Sequence, residues 1–160
     1  MIKIIKPDTV DQESLKDSFK IFLAGSIEMG LAENWQEVFI DVLNKKDANL
    51  TIFNPRRDNW DSSWEQNIDN PNFNYQVNWE LDKLELSDSI IMYFDPKTKS
   101  PISLLELGLF ATSNKLFVIC PDGFWRKGNV EIVCHRNKIP LFNTIEESLE
   151  KYNANINRAY

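Results

Sequence analysis

Four short apolar runs, none alternating with polar residues, punctuate this chain, and stretches that are apolar at helical spacing lie between them. A strand with one wet face alternates; an unbroken run suits a strand buried on both faces, as in a parallel sheet covered by helices. The first run, Ile21 to Ala24, ends at Gly25-Ser26, and Leu31 to Lys46 then carries Leu31, Trp35, Val38, Phe39, Val42 and Leu43 at helical spacing. Leu50 to Phe53 is the second, broken by Asn54-Pro55, with a helix to follow at about Tyr75 to Ser87. Ser89 to Phe94 is the third. Ser100 and Pro101 then offer an N-cap and a first-turn proline for a helix reaching about Ser113. Leu116 to Cys120 is the fourth run, stopped by Pro121; a short helix near Asn129 to His135, a strand around Pro140 to Phe142 and an N-capped helix from Thr144 to about Tyr152 complete the pattern. This rhythm predicts a doubly wound α/β fold, flavodoxin- or Rossmann-like, with helices on both faces of a parallel sheet.

At 160 residues, the expected organisation is a single domain over residues 1–160. Twenty-four acidic against 18 basic residues, a formal charge of -6, argue against a nucleic acid polymer or an anionic membrane as partner. Cys120 and Cys134 are too few for a disulfide scaffold, and Cys134 beside His135, the only histidine, does not make a tetrahedral site, so neither metal nor cofactor is expected. Lys3, Lys6 and Pro7 interrupt the first apolar residues, and no run approaches the ~20 residues of a membrane span, which leads to an expectation of a soluble, cytoplasmic protein.

In doubly wound sheets ligands bind beyond the carboxyl ends of the strands, where the strand order reverses. Four loops leave those ends: Gly25 to Gly30, Asn54 to Asn72, Asp95 to Ser100 and Pro121 to Asn129. With Ile102 as zero on a helical wheel, Leu105, Leu109 and Ser113 fall close to one side and Glu106 falls among them, which predicts a carboxylate on a buried stripe. It lies in the second turn of its helix, where the helix N-terminus is expected to favour the ionised form, as suits a nucleophile. The preceding helix repeats the pattern, with Glu80 inside a stripe of Val77, Leu81 and Leu84, while Asp95 at the exit of the third strand is either a third carboxylate of the set or the turn residue of an Asp-Pro pair. Paired carboxylates are the apparatus for breaking a glycosidic bond. Between the second strand and its helix, Trp60 and Trp64 stand beside Arg56, Arg57 and Asp58, side chains able to stack on a planar base and read its edge, or else to build a satellite core. Gly25 to Gly30 lacks both dinucleotide and phosphate-loop spacing, and Glu28 within it repels an anion, but its glycines and Ser26 permit close approach to a sugar.

These elements resemble the nucleoside 2-deoxyribosyltransferase-like family over about residues 20 to 136. The likeness rests on Phe22-Leu23-Ala24-Gly25-Ser26-Ile27, on Asn54-Pro55-Arg56-Arg57-Asp58, on the Glu80 to Asp88 helix segment and above all on Ser103-Leu104-Leu105-Glu106-Leu107-Gly108. The resemblance implies that Glu106 is the nucleophile that carries 2-deoxyribose between nucleobases, that Glu80 holds the place of an active-site aspartate, and that Asn129 reaches a sugar from an adjacent subunit of a homo-oligomer. Family transferases often have an aspartate six positions before the nucleophile; this chain has Ser100 there.

The expected activity is therefore that of a nucleoside 2-deoxyribosyltransferase, with small-molecule nucleosides and nucleobases as partners. Its expected catalytic residues are Glu106, Asp95 and Glu80, and Gly25, Ser26, Asn54, Arg57, Asp58, Trp60 and Asn129 are the expected substrate contacts. Two alternatives stay open: a 2′-deoxynucleoside 5′-monophosphate N-glycosidase, whose phosphate would meet Arg57, Arg126 or Lys127, and a nucleotide-sensing module without turnover.

Overall fold

A computed structural model describes residues 2–9, 17–27, 32–45, 49–57 and 63–159, with side chains as far as Tyr152. Strands β1 (Ile2–Ile5), β2 (Phe19–Gly25), β3 (Leu50–Phe53), β4 (Ser89–Tyr93), β5 (Leu116–Ile119) and β6 (Leu141–Phe142) form a six-stranded sheet in the order β1-β3-β2-β4-β5-β6, every pair parallel. Helices α1 (Trp35–Asn44), α2 (Pro71–Leu86), α3 (Pro101–Phe110), α4 (Lys127–Asn137) and α5 (Ile145–Ala159) supply the crossovers. The doubly wound architecture expected from the apolar runs is the one observed. Alternate residues of each central strand feed two cores. Phe22, Ala24, Ile90, Met92 and Val118 pack beneath Trp79 and Leu84 of α2, Leu107 of α3 and Val130 of α4. Ile21, Leu23, Ile91 and Ile119 pack beneath Trp35 and Phe39 of α1 and Leu149 of α5.

The chain passes from β2 to β3 on one side, then crosses back to β4 on the other, so the order reverses between β2 and β4. Their carboxyl ends meet with Gly25 opposite Tyr93. Gly25 has φ of 127°, and a Cβ there would collide with the Tyr93 backbone. Glycine is thus required where the chain leaves the sheet toward the site.

Three expectations need correction. The N-terminal residues form an edge strand, β1, pairing with β3 from Ile2↔Leu50 to Ile5↔Phe53; an edge strand has one partner and tolerates the lysine that disguised it. Helix α2 begins earlier than Tyr75, at Pro71, because Asn70 caps it by accepting hydrogen bonds from the backbone of Asn72 and Phe73. The stripe of Ile102, Leu105 and Leu109 on α3 faces outward, with exposures of 59%, 59% and 57%. The buried residues of α3 are Ser103, Glu106 and Leu107, so Glu106 lies at the inner margin of the helix and not in the middle of its apolar stripe. Among the described residues no helix is long and apolar enough to cross a membrane.

Candidate active site

Helix α2 lies over β2 and β3 because Trp79 inserts between their aromatics, its ring centroid 6.3 Å from that of Phe22 and 6.4 Å from that of Phe53. On the same helix Gln76, three residues before Trp79, is buried, and Glu80 follows one residue after it. Glu106 on α3 is 7% exposed, and Glu80 is close enough for its charge to act on it. The two carboxyls, on neighbouring helices, therefore interact electrostatically.

Burial dominates their electrostatics. Loss of water pushes the Glu106 carboxyl up to about 8, and the neighbouring Glu80 charge adds to the rise. Burial also raises Glu80, to about 7, while a hydrogen bond from Gln76 and the Arg57 guanidinium pull it back down. The helix N-terminus is expected to keep Glu106 ionised, but desolvation outweighs it in the second turn, where the field of the free N–H groups has faded. The pair consequently retains a proton near neutrality. Such an arrangement combines a carboxylate able to attack with a carboxylic acid able to donate.

Around the pair the polar side chains are closely interlocked. Gln76, buried on α2, donates from Nε2 to Glu80 Oε1 at 2.5 Å and to the Pro55 carbonyl at 3.4 Å. Its Oε1 accepts from Arg57 Nε at 2.5 Å. Arg57 is further held by an ion pair with Asp8 at 2.5 Å and lies 5.1 Å from the centre of the Trp64 ring. Arg57 thus ties the loop after β3 to α2 and to the segment after β1. Asn54 is buried and its Oδ1 accepts from the Arg56 backbone at 3.0 Å, shaping the turn that presents Arg57.

At the sheet reversal three hydroxyls cluster below the start of α3. Ser26 Oγ lies 2.5 Å from Ser100 Oγ and 2.9 Å from Thr98 Oγ1, and it accepts from the Asp95 backbone N–H at 2.8 Å. Ser100 occupies the N-cap position of α3 as its sequence suggested, but with φ of 45° and no side-chain cap; its hydroxyl joins the cluster instead. Asp95 is buried, and its carboxylate accepts from the backbone of Lys97 at 2.8 Å and of Glu33 at 3.3 Å. Its charge goes to fixing two loops, and the shift of Glu106 has burial and Glu80 as its sources, not Asp95.

Asn129 stands apart. It is exposed at the start of α4 and lines, with Arg126, Trp125, Leu104 and Gly108, a groove of about 320 Å³ between α3 and α4. Leu104 and Gly108 each lie two residues from Glu106, roughly 160° away around the helix, so the groove opens mostly away from Glu106, with Leu107 also lining it. Asp58, Trp60 and Glu28 lie outside the described residues. The structure thus links Glu80, Gln76 and Arg57 by hydrogen bonds with Glu106 in reach of the Glu80 charge, places Gly25, Ser26 and Asp95 at the sheet reversal, and leaves Asn129 on another flank. Gln76, Thr98 and Ser100 had no place in the set read from sequence; the one signal for Gln76 was its spacing, four residues before Glu80 on a helix.

A parallel sheet whose order reverses between β2 and β4, with Glu106 buried and Glu80 half-buried on the helices beside it, places the chain among doubly wound α/β proteins, whose ligands bind at such a reversal. The nucleoside 2-deoxyribosyltransferase-like family matches residues 18–124, from the strand before the reversal to the loop after β5, and the chain belongs to that family. The match contains Glu80, Asp95 and Glu106 and ends before Asn129. No curated protein sequence matches the chain.

Proposed function

We propose that this protein is a nucleoside 2-deoxyribosyltransferase, working as a single domain without a cofactor, and that Glu106 is its nucleophile. The observation that carries the reading is the pairing of a buried Glu106 with a half-buried Glu80 in a member of this family, with a shared proton near neutrality. Burial lifts Glu106 above Glu80, so the shared proton rests on Glu106 in the free protein; the reaction runs through the state in which that proton has passed to Glu80 and Glu106 is ionised. A Glu106 oxygen bonds to C1′ of the 2′-deoxynucleoside as the C1′–N bond breaks; the electron pair stays with the base nitrogen, and Glu80 supplies the proton that neutralises it. An incoming base then attacks C1′, the C1′–O bond breaks to restore the Glu106 carboxylate, and Glu80 recovers a proton from the new base. Two displacements give overall retention.

In this reading Gly25, Ser26 and Asp95 shape the sugar side, and Asn54, Arg57, Asp58 and Trp60 the base side. Asn129 serves a neighbouring subunit, since its own Glu106 lies across the helix. The outward ridge of Ile102, Leu105 and Leu109 and the adjacent groove favour a homo-oligomer, because a ridge and a groove on one face are self-complementary under a twofold axis. The test is to mix the protein with thymidine and adenine and separate the products by chromatography. Deoxyadenosine and thymine are expected, and Glu106→Ala is expected to yield neither. If the protein instead releases free deoxyribose 5-phosphate from thymidine 5′-monophosphate, with no exchange, it is the N-glycosidase. Tight ligand binding without base release would mark a sensing module.

A further inference from the structure

Of the groups around Glu80, Gln76 has the most completely determined geometry. A guanidinium only donates hydrogen bonds, so the atom of Gln76 that meets Arg57 Nε is the carbonyl oxygen. The amide nitrogen is then forced toward Glu80 Oε1 and the Pro55 carbonyl, and each of its two protons has an acceptor. Asp8 fixes Arg57 from the far side. The orientation of a buried amide, ordinarily interchangeable end for end, is in this way set by a charge anchored to another segment.

We propose that Gln76 is a positioning residue for the reaction: by donating to Glu80 Oε1 it reserves Oε2 as the oxygen that takes and gives the catalytic proton, and it keeps that carboxyl acidic enough to release the proton at neutral pH. The inference rests on the enzyme reading above and adds a residue to it. The chemistry follows from competing effects. Burial favours the neutral acid, and an acid held too strongly protonated is a poor donor near neutrality. A hydrogen bond donated to one oxygen stabilises the carboxylate and opposes burial without introducing a charge. Around Glu80 the charged groups are Arg57 with its partner Asp8, Glu106 on α3, and Lys83 on α2, whose ammonium lies 5.5 Å from the centre of the Phe53 ring. Of these groups, Arg57 is directly bonded to Gln76.

Two readouts test this. In protein labelled with 13C at the glutamate carboxyls, with Glu80 assigned through Glu80→Gln, the Glu80 titration in Gln76→Met is expected at least about half a pH unit above wild type. In thymidine-to-adenine exchange, kcat of Gln76→Met is expected to fall about tenfold with KM little changed, and the alkaline limb of the rate profile to move upward with the Glu80 titration. Gln76→Asn, too short to span Arg57 and Glu80, should do the same and serves if the methionine variant does not fold. An unmoved Glu80 titration in a folded variant overturns the proposal, as does an unmoved alkaline limb when kcat falls. Should wild type show no exchange, the enzyme reading fails by itself, and the carboxyl titration still decides whether Gln76 governs Glu80.

Discussion

Glu106 illustrates how a buried carboxyl, here the proposed nucleophile, weakens the fold. Its carboxyl binds a proton more tightly in the folded protein, at about 8, than in the unfolded chain, where an ordinary glutamate titrates near about 4.3. Between those values the folded state holds more protons than the unfolded one, so the stability linked to this group is intact below about 4.3 and declines as pH rises to about 8. Glu80, raised to about 7, acts in the same sense over a narrower window. Glu106→Gln removes the acid while keeping its shape. Thermal melts should show the variant more stable than wild type at pH 8, with a much smaller difference at pH 5, together with a loss of base exchange. Glu106 is legible in the sequence as a candidate, but the stripe that singles it out, Ile102, Leu105 and Leu109, faces outward. A wheel shows which apolar residues share a side; it does not show whether that side meets the sheet or another surface.

The elements were legible where burial alone shapes the sequence. β2, β3, β4 and β5 are covered on both faces, and their unbroken apolar runs record it. β1 was not legible, since an edge strand needs fewer apolar residues and the run is short. The start of α2 is hidden although Asn70-Pro71 is a cap followed by a first-turn proline, because it falls inside the polar stretch from Asn54 to Asn72. That cap bears on the proposed function, since α2 carries Gln76 and Glu80. Asn70→Ala strips the acceptor from two backbone N–H groups and should cost about 1 kcal/mol in urea unfolding. The interlocking of Arg57, Gln76 and Asp8 was beyond reach for a different reason: it joins three segments distant in sequence, and neither periodicity nor spacing encodes such a meeting.

The whole molecule carries a formal charge of -6, yet leaves Ile102, Leu105 and Leu109 in contact with water. Three large aliphatic side chains in one row on a ten-residue helix make a patch that association would cover. Leu105→Lys should lower the mass of the assembly in sedimentation. If Asn129 serves the neighbouring subunit, exchange should weaken along with the assembly even though Glu80 and Glu106 are untouched.

The central claim is a covalent bond between Glu106 and a sugar, and peptide mass spectrometry addresses it most directly. Protein mixed with thymidine and quenched in acid is digested, and the peptide containing Glu106 is examined. The account predicts a deoxyribosyl adduct on that peptide, absent from Glu106→Gln. Base exchange by Glu106→Gln at the wild-type rate would contradict it.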